Sequence, residues 1–160
     1  MTPENPISEL IVKYKPLQEK YQLPEFSKMN ELFDIEDIDP ETEFLLRKVR
    51  RTISEKIANY IRFIEIILNP SNAPMYFFKL LKKLDSEDKE SLSKLYESLG
   101  NTELKMLSLD LDYNEDNEAK FIKENYNTLQ KEIKEEFSKV IEKLNNGEEN
   151  SAKLDSSYLG

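Results

Sequence analysis

From Pro40 to Leu68 apolar residues recur every three or four positions: Leu46, Val49, Ile53, Ile57, Tyr60 with Ile61, Ile64, and Ile67 with Leu68. That spacing keeps one stripe on one side of an α-helix about eight turns long. A stripe of that length must be buried against other elements, so the run is read as the spine of a helical domain. Asp39 is placed to cap the first turn, Pro40 suits the first helical position, and Asn69-Pro70 ends the run. All four arginines of the chain lie on it: Arg47, Arg50, Arg51 and Arg62.

The rest of the chain reads as further helices around this spine. Pro6 after Asn5 opens a first helix with Ile7, Leu10, Ile11 and Tyr14 on one face, and Pro16 is expected to kink or end it. Phe26, Met29, Leu32 and Phe33 mark a short helix. Asp34 to Asp39 is an acidic connector, with four carboxylates within six residues. Such a cluster suits either a hard cation or the positive end of the spine helix, and the second reading is preferred. Residues 75–84 form a basic amphipathic helix whose Phe77, Leu80, Leu81 and Leu84 share one side. It fits a core helix with snorkelling lysines better than a membrane-surface element.

Asp85-Ser86-Glu87-Asp88 starts another helix, with Ser86 as its expected cap and Gly100 as its expected end. Leu104, Leu107 and Leu111 fit a helix. Leu107, Leu109, Leu111 and Tyr113 also alternate as in a strand, but no partner strand is evident, so the helix is chosen through about Leu109. Ala119, Ile122, Tyr126, Leu129, Ile133, Phe137, Val140 and Leu144 predict one long helix over 115–145, stopped by Asn145-Asn146-Gly147. The expected fold is all-α: an irregular bundle of about five to seven helices, built on two long antiparallel helices, 40–68 and 115–145. It is expected to form one domain over 1–147, followed by a polar, disordered tail at 148–160.

Chemistry is bounded by what is missing. The chain has no histidine and no cysteine, and only three glycines. Histidine triads, zinc sites, thiol nucleophiles and glycine-rich phosphate loops are therefore excluded. No catalytic residue, metal ligand or cofactor is assigned. Asp110-Leu111-Asp112-Tyr113-Asn114 resembles the opening of an EF-hand calcium loop, which implies oxygen ligands at Asp110, Asp112 and Asn114. Glu115 stands where such a loop needs glycine, and Phe121 where it needs glutamate. An acidic loop capping the last helix is the preferred reading.

The sharper feature is the basic cluster Arg47, Lys48, Arg50 and Arg51 on a chain of net charge −9. Arginine's planar fork suits bidentate contact with carboxylate or phosphate. Two readings follow: a docking face for an acidic protein surface or nucleic-acid backbone, or internal pairing with carboxylates of neighbouring helices. The expected function is a non-enzymatic protein-interaction module, a small adaptor or accessory subunit, docking through Arg47, Lys48, Arg50 and Arg51. An unknown protein partner is expected before nucleic acid, since the chain is acidic and aromatics do not interleave with the arginines. Self-association through Tyr76, Phe77 and Phe78 is the alternative, and a divalent-cation site the lesser one. No membrane span or signal peptide is expected, which suggests a cytoplasmic protein. The run Arg50 to Ile57 and the segment Leu84 to Glu90 are similar to parts of the helical domain of GINS replication subunits. Motifs of that kind occur on any charged helix, so they assign no family.

Overall fold

The computed structural model describes residues 5–158, with side chains described over 5–146 except at Asn72. Every regular element among them is helical: α1 (Pro6–Tyr21), α2 (Phe26–Phe33), α3 (Leu45–Leu68), α4 (Met75–Leu81), α5 (Ser86–Leu111), α6 (Glu115–Thr128) and α7 (Lys134–Tyr158). Short 3-10 turns stand at Ile35–Asp37 and Pro70–Asn72, and a π-helical turn at Leu129–Ile133 joins α6 to α7. Among the described residues no helix is long and apolar enough to cross a membrane. The chain divides into two compact units, Met1–Asn59 with Asn101–Gln130, and Tyr60–Gly100 with Lys131–Gly160.

In the first unit α1 packs on α2, on α6 and on the turn at Ile35. Asn5 caps α1 by accepting from the Ile7 amide at 3.2 Å. Pro16 does not break this helix: the ring sits on the solvent side, and the Val12 carbonyl that loses its partner belongs to an exposed residue. Tyr14 is only 1% exposed and donates to the Pro24 carbonyl at 2.7 Å, which ties the end of the α1–α2 connection to the core. Burial holds its hydroxyl well above the usual tyrosine range, with Tyr126 adding to the shift. The spine begins later than Asp39 and Pro40 promised, at Leu45. Pro40 occupies the second place of a turn, closed by the Thr42 amide on the Asp39 carbonyl, and the Asp39 carboxylate accepts from the Glu41 amide. Asp and Pro at those two places favour such a turn, which diverts the chain until Leu45.

In the second unit Tyr60 and Phe63 of α3 stack on Phe137 of α7 at 5.0 and 5.5 Å, and Phe63 meets the edge of Phe77 of α4. The cap of α5 is Asp85 rather than Ser86. Its carboxylate accepts from the Asp88 amide at 2.9 Å while the Asp88 carboxylate accepts from the Asp85 amide at 3.0 Å, a reciprocal capping box. Lys143 of α7 binds Asp88 at 2.5 Å and so ties this cap to the neighbouring helix.

Three helix ends differ from expectation for local reasons. Gly100 lies inside α5, not at its end, because Leu99 and Met106 on either side continue one buried face. Leu129, Ile133 and Phe137, all buried, follow each other at steps of four; a π turn holds more residues per turn and keeps those three in line. Helix α7 continues through Asn145-Asn146-Gly147 to Tyr158. Of the stretch 148–160, expected to be a structureless tail, only the backbone to Tyr158 is described, and its side chains lie outside the described residues.

A Cβ built on Gly100 meets nothing within 4 Å. Glycine in a helix interior costs about 0.5–1 kcal/mol relative to alanine. Gly100→Ala is therefore expected to raise stability by about that amount in urea unfolding; an unchanged or lower midpoint would contradict a helix running through this position.

Candidate functional site

The arginine cluster sits in the first unit, where the first two turns of α3 meet the last turn of α5 and the first turn of α6. Arg50 is fully buried. Its Nε donates to Glu118 Oε2 at 2.7 Å, and its Nη2 to Glu118 Oε1 at 3.2 Å and to Asp110 Oδ1 at 2.6 Å. Glu118 is equally buried. Arg47 donates through Nη2 to the carbonyl oxygens of Asp110 at 3.0 Å and Leu109 at 3.4 Å, and its guanidinium lies over the Tyr113 ring at 5.5 Å. It therefore caps orphan carbonyls at the C-terminus of α5, where a cation also meets the negative end of the helix. Arg51 Nε reaches Asp110 Oδ1 at 3.4 Å from a half-exposed position, and Lys48 is exposed.

Electrostatics follow from burial and pairing. Loss of water opposes the charge on Arg50, but its hydrogen bonds to Glu118 and Asp110 outweigh that and raise the guanidinium above its usual range. The Arg50 hydrogen bond, against a smaller opposing effect of burial, holds the Asp110 carboxyl below the usual carboxylate range. Two donors in the cluster, Arg50 Nη1 and Arg47 Nε, are buried without a hydrogen-bond acceptor. A pair with donors left over is costly in free energy, and its value lies in fixing which helix ends meet.

Of the four residues read as a docking face, Arg47, Arg50 and Arg51 are thus drawn to carboxylates and carbonyls of α5 and α6, while Lys48 is exposed and forms no ion pair among the described residues. The same contacts correct the helix pairing. An antiparallel pair over 40–68 and 115–145 would bring the start of the spine to the end of the last helical run. Arg50 instead meets Glu118 in the first turn of α6. The helix that finishes where α3 begins is α5.

The calcium-like loop is also put to structural use. Asp110 is held by Arg50 and Arg51, and Asn114 Oδ1 caps α6 by accepting from the Asn117 amide at 3.0 Å. Glu115 accepts from Tyr21 at 2.7 Å and from Lys20 at 3.1 Å.

Glu118 was missed by sequence reasoning, yet it carried a signal. It stands three, four and seven residues before Phe121, Ile122 and Asn125, on the buried face of α6. Arg50 likewise falls between Leu46 and Ile53 on the buried stripe of α3. Two opposite charges on two apolar stripes are the mark of a buried pair.

One further departure bears on function. Leu104, Leu107 and Leu111, read as one helical stripe, are 66%, 56% and 88% exposed, whereas Met106 beside them is buried. The wheel of α5 offers one inward face here, and Leu99, Met106 and the half-buried Leu109 take it. In α4, Tyr76 and Phe78 are exposed and Phe77 is half-buried. No known protein family, curated protein or solved structure matches this chain.

Removing one member of a buried pair strands the other. Glu118→Leu and Arg50→Met are each expected to cost on the order of 3–5 kcal/mol in denaturant unfolding. The double substitution should cost clearly less than the two together; simple additivity would show that the two residues do not act as a pair. Asp110 binds its proton less readily folded than unfolded. Its contribution is complete above the unfolded value of about 4 and disappears as pH falls through the folded value. Stability should thus decline in acid below about pH 4, and Asp110→Asn should make that decline shallower by a modest amount, since Asp110 is partly exposed and screened. An identical acid slope in the variant would rule Asp110 out as a contributor.

Proposed function

We propose that the chain is a non-enzymatic protein-interaction module, a small cytoplasmic adaptor or accessory subunit, and that its docking face is the apolar side of α5 rather than the arginine side of α3. The observation that carries this reading is the exposure of Leu104, Leu107 and Leu111 on one helix face. Single exposed leucines are ordinary, but three in register along a helix form a strip that gains free energy when covered.

The arginine geometry supports the shift. An acidic partner or a phosphate backbone reaching Arg50 would have to displace Glu118 and Asp110 from a buried guanidinium, leaving a buried carboxylate unpaired. Lys48 and Arg51 alone are a slight basic surface on an acidic chain, far from the stripe of cations that nucleic acid requires.

The test is comparative capture from cell lysate. The wild-type chain is compared with Leu104→Gln/Leu107→Gln/Leu111→Gln and with Lys48→Glu/Arg51→Gln, all three shown by circular dichroism to be equally folded. The expected result is a partner held by the wild type and by the basic-face variant and lost by the leucine variant. The reverse pattern would return docking to α3. A partner kept by both variants would move it to neither face.

A further inference from the structure

We propose that a cleft at the start of α2 binds a small phosphate monoester of a polyol, at a site separate from the leucine face of α5. The cleft has a volume of about 360 Å³, at the low end of the range for small-molecule sites. It lies wholly in the first unit, where the end of α1, the start of α2 and the last turns of α6 meet.

A buried hydroxyl without a partner marks the place. Tyr126 lines the cleft and is only 7% exposed, yet its hydroxyl forms no hydrogen bond to any described residue. Buried tyrosine hydroxyls ordinarily find an acceptor. This oxygen is not sealed in the interior, and the cleft is its outlet.

Positive charge and uncapped amides converge on the same place. Lys28 of α2 and Lys123 of α6 line the cleft, and among the described residues neither forms an ion pair or a side-chain hydrogen bond. Glu25 opens α2 without a side-chain capping bond, so no side chain satisfies the amides of its first turn. A helix start of that kind favours an anion. The Glu25 carboxylate is exposed on the rim, and two lysines against one glutamate leave the lining positive. A phosphate monoester offers three strong acceptor oxygens to these donors at once.

The remaining polar groups suit hydroxyls. Gln22, Asn127 and Gln130 each bring a carboxamide, donor and acceptor together, and none makes a side-chain hydrogen bond among the described residues. Gln22 ends α1 in a left-handed conformation with φ 55°, where glycine or asparagine is usual. Gln130 stands on the π turn, an irregularity that recurs at functional sites. A long polyanion such as nucleic acid fits less well, because it meets the net charge of −9 along its length. A single phosphate feels chiefly the charges within about 10 Å at 0.1 M salt.

The probes are glucose 6-phosphate, glucose and inorganic phosphate, each titrated into the nitrogen-15-labelled full chain while amide shifts are read. The expected result is saturable binding of glucose 6-phosphate that moves amides of 22–28 and 123–130, weaker binding of inorganic phosphate, and none of glucose. Lys28→Ala/Lys123→Ala and Tyr126→Phe should each weaken binding by about tenfold or more, since each removes hydrogen bonds to a charged group. The Tyr126 hydroxyl holds nothing in the protein, so the melting curve of Tyr126→Phe should overlay that of the wild type. Lys48→Ala removes a lysine outside the cleft lining and should bind as wild type does. Unchanged affinity in Tyr126→Phe and in the lysine pair would overturn the inference, as would saturable binding of no probe. A loss in Lys48→Ala as large as in the lysine pair would reduce the binding to unspecific charge attraction and overturn it too. Inorganic phosphate bound as tightly as the ester would overturn the polyol assignment. A phosphoserine peptide bound more tightly than glucose 6-phosphate through the same residues would make the ligand a modified protein and overturn the small-molecule assignment.

Discussion

A buried guanidinium cannot be left to itself, and much of the first unit follows from that constraint. Arg50 has no access to water, so its charge is tolerable only where carboxylates are held against it. Glu118 supplies two oxygens from the first turn of α6, and Asp110 one from the last turn of α5. The pair therefore works as a register mark. Leucines and isoleucines could slide by a turn along α3 at modest cost, but a guanidinium fork has few places to fit. Arg47 adds to the mark by capping the carbonyls at the end of α5 and lying over Tyr113. Net stability is a poor measure of such a cluster, because dehydration of the charges takes back most of what their attraction gives.

The same economy of charge explains why the most basic stretch of an acidic chain is a weak docking surface. Acidic residues outnumber basic ones, 32 to 23, so a cluster of arginines finds internal partners before external ones. Leucines on the outer side of α5 have no equivalent: the inward positions are already filled by Leu99 and Met106, and no other described element turns Leu104, Leu107 or Leu111 away from water. A chain of helices this polar can carry an exposed apolar strip without losing solubility, since its remaining surface is strongly charged.

Much of the helical layout was legible because period and punctuation agree. Asn5-Pro6 opens α1, Asn69-Pro70 closes α3, and Asn114 caps α6, each through chemistry that the residue type dictates. Misreadings arose where one residue serves two competing structures. Asp39-Pro40 suits a helix start and a turn equally, and the turn won. Gly100 suits a C-cap, but its neighbours keep a buried face going. The outward turn of Leu104, Leu107 and Leu111 was not legible, because a helical stripe looks the same whether the fold covers it or leaves it open. The arginines illustrate the converse: an Arg50 and a Glu118 that each interrupt an apolar stripe announced a pair, but only three dimensions bring residues 50 and 118 together.

Arg50 is a fixed internal clamp on this reading of the first unit. Nitrogen-detected NMR of arginine side chains reads this directly, with the Arg50 signal assigned by its absence in Arg50→Lys. A clamped Arg50 should show an Nε–H that exchanges slowly with water and two resolved Nη environments from hindered rotation about Nε–Cζ. An Arg50 side chain that exchanges and rotates as freely as Arg62, on the exposed side of α3, would contradict it.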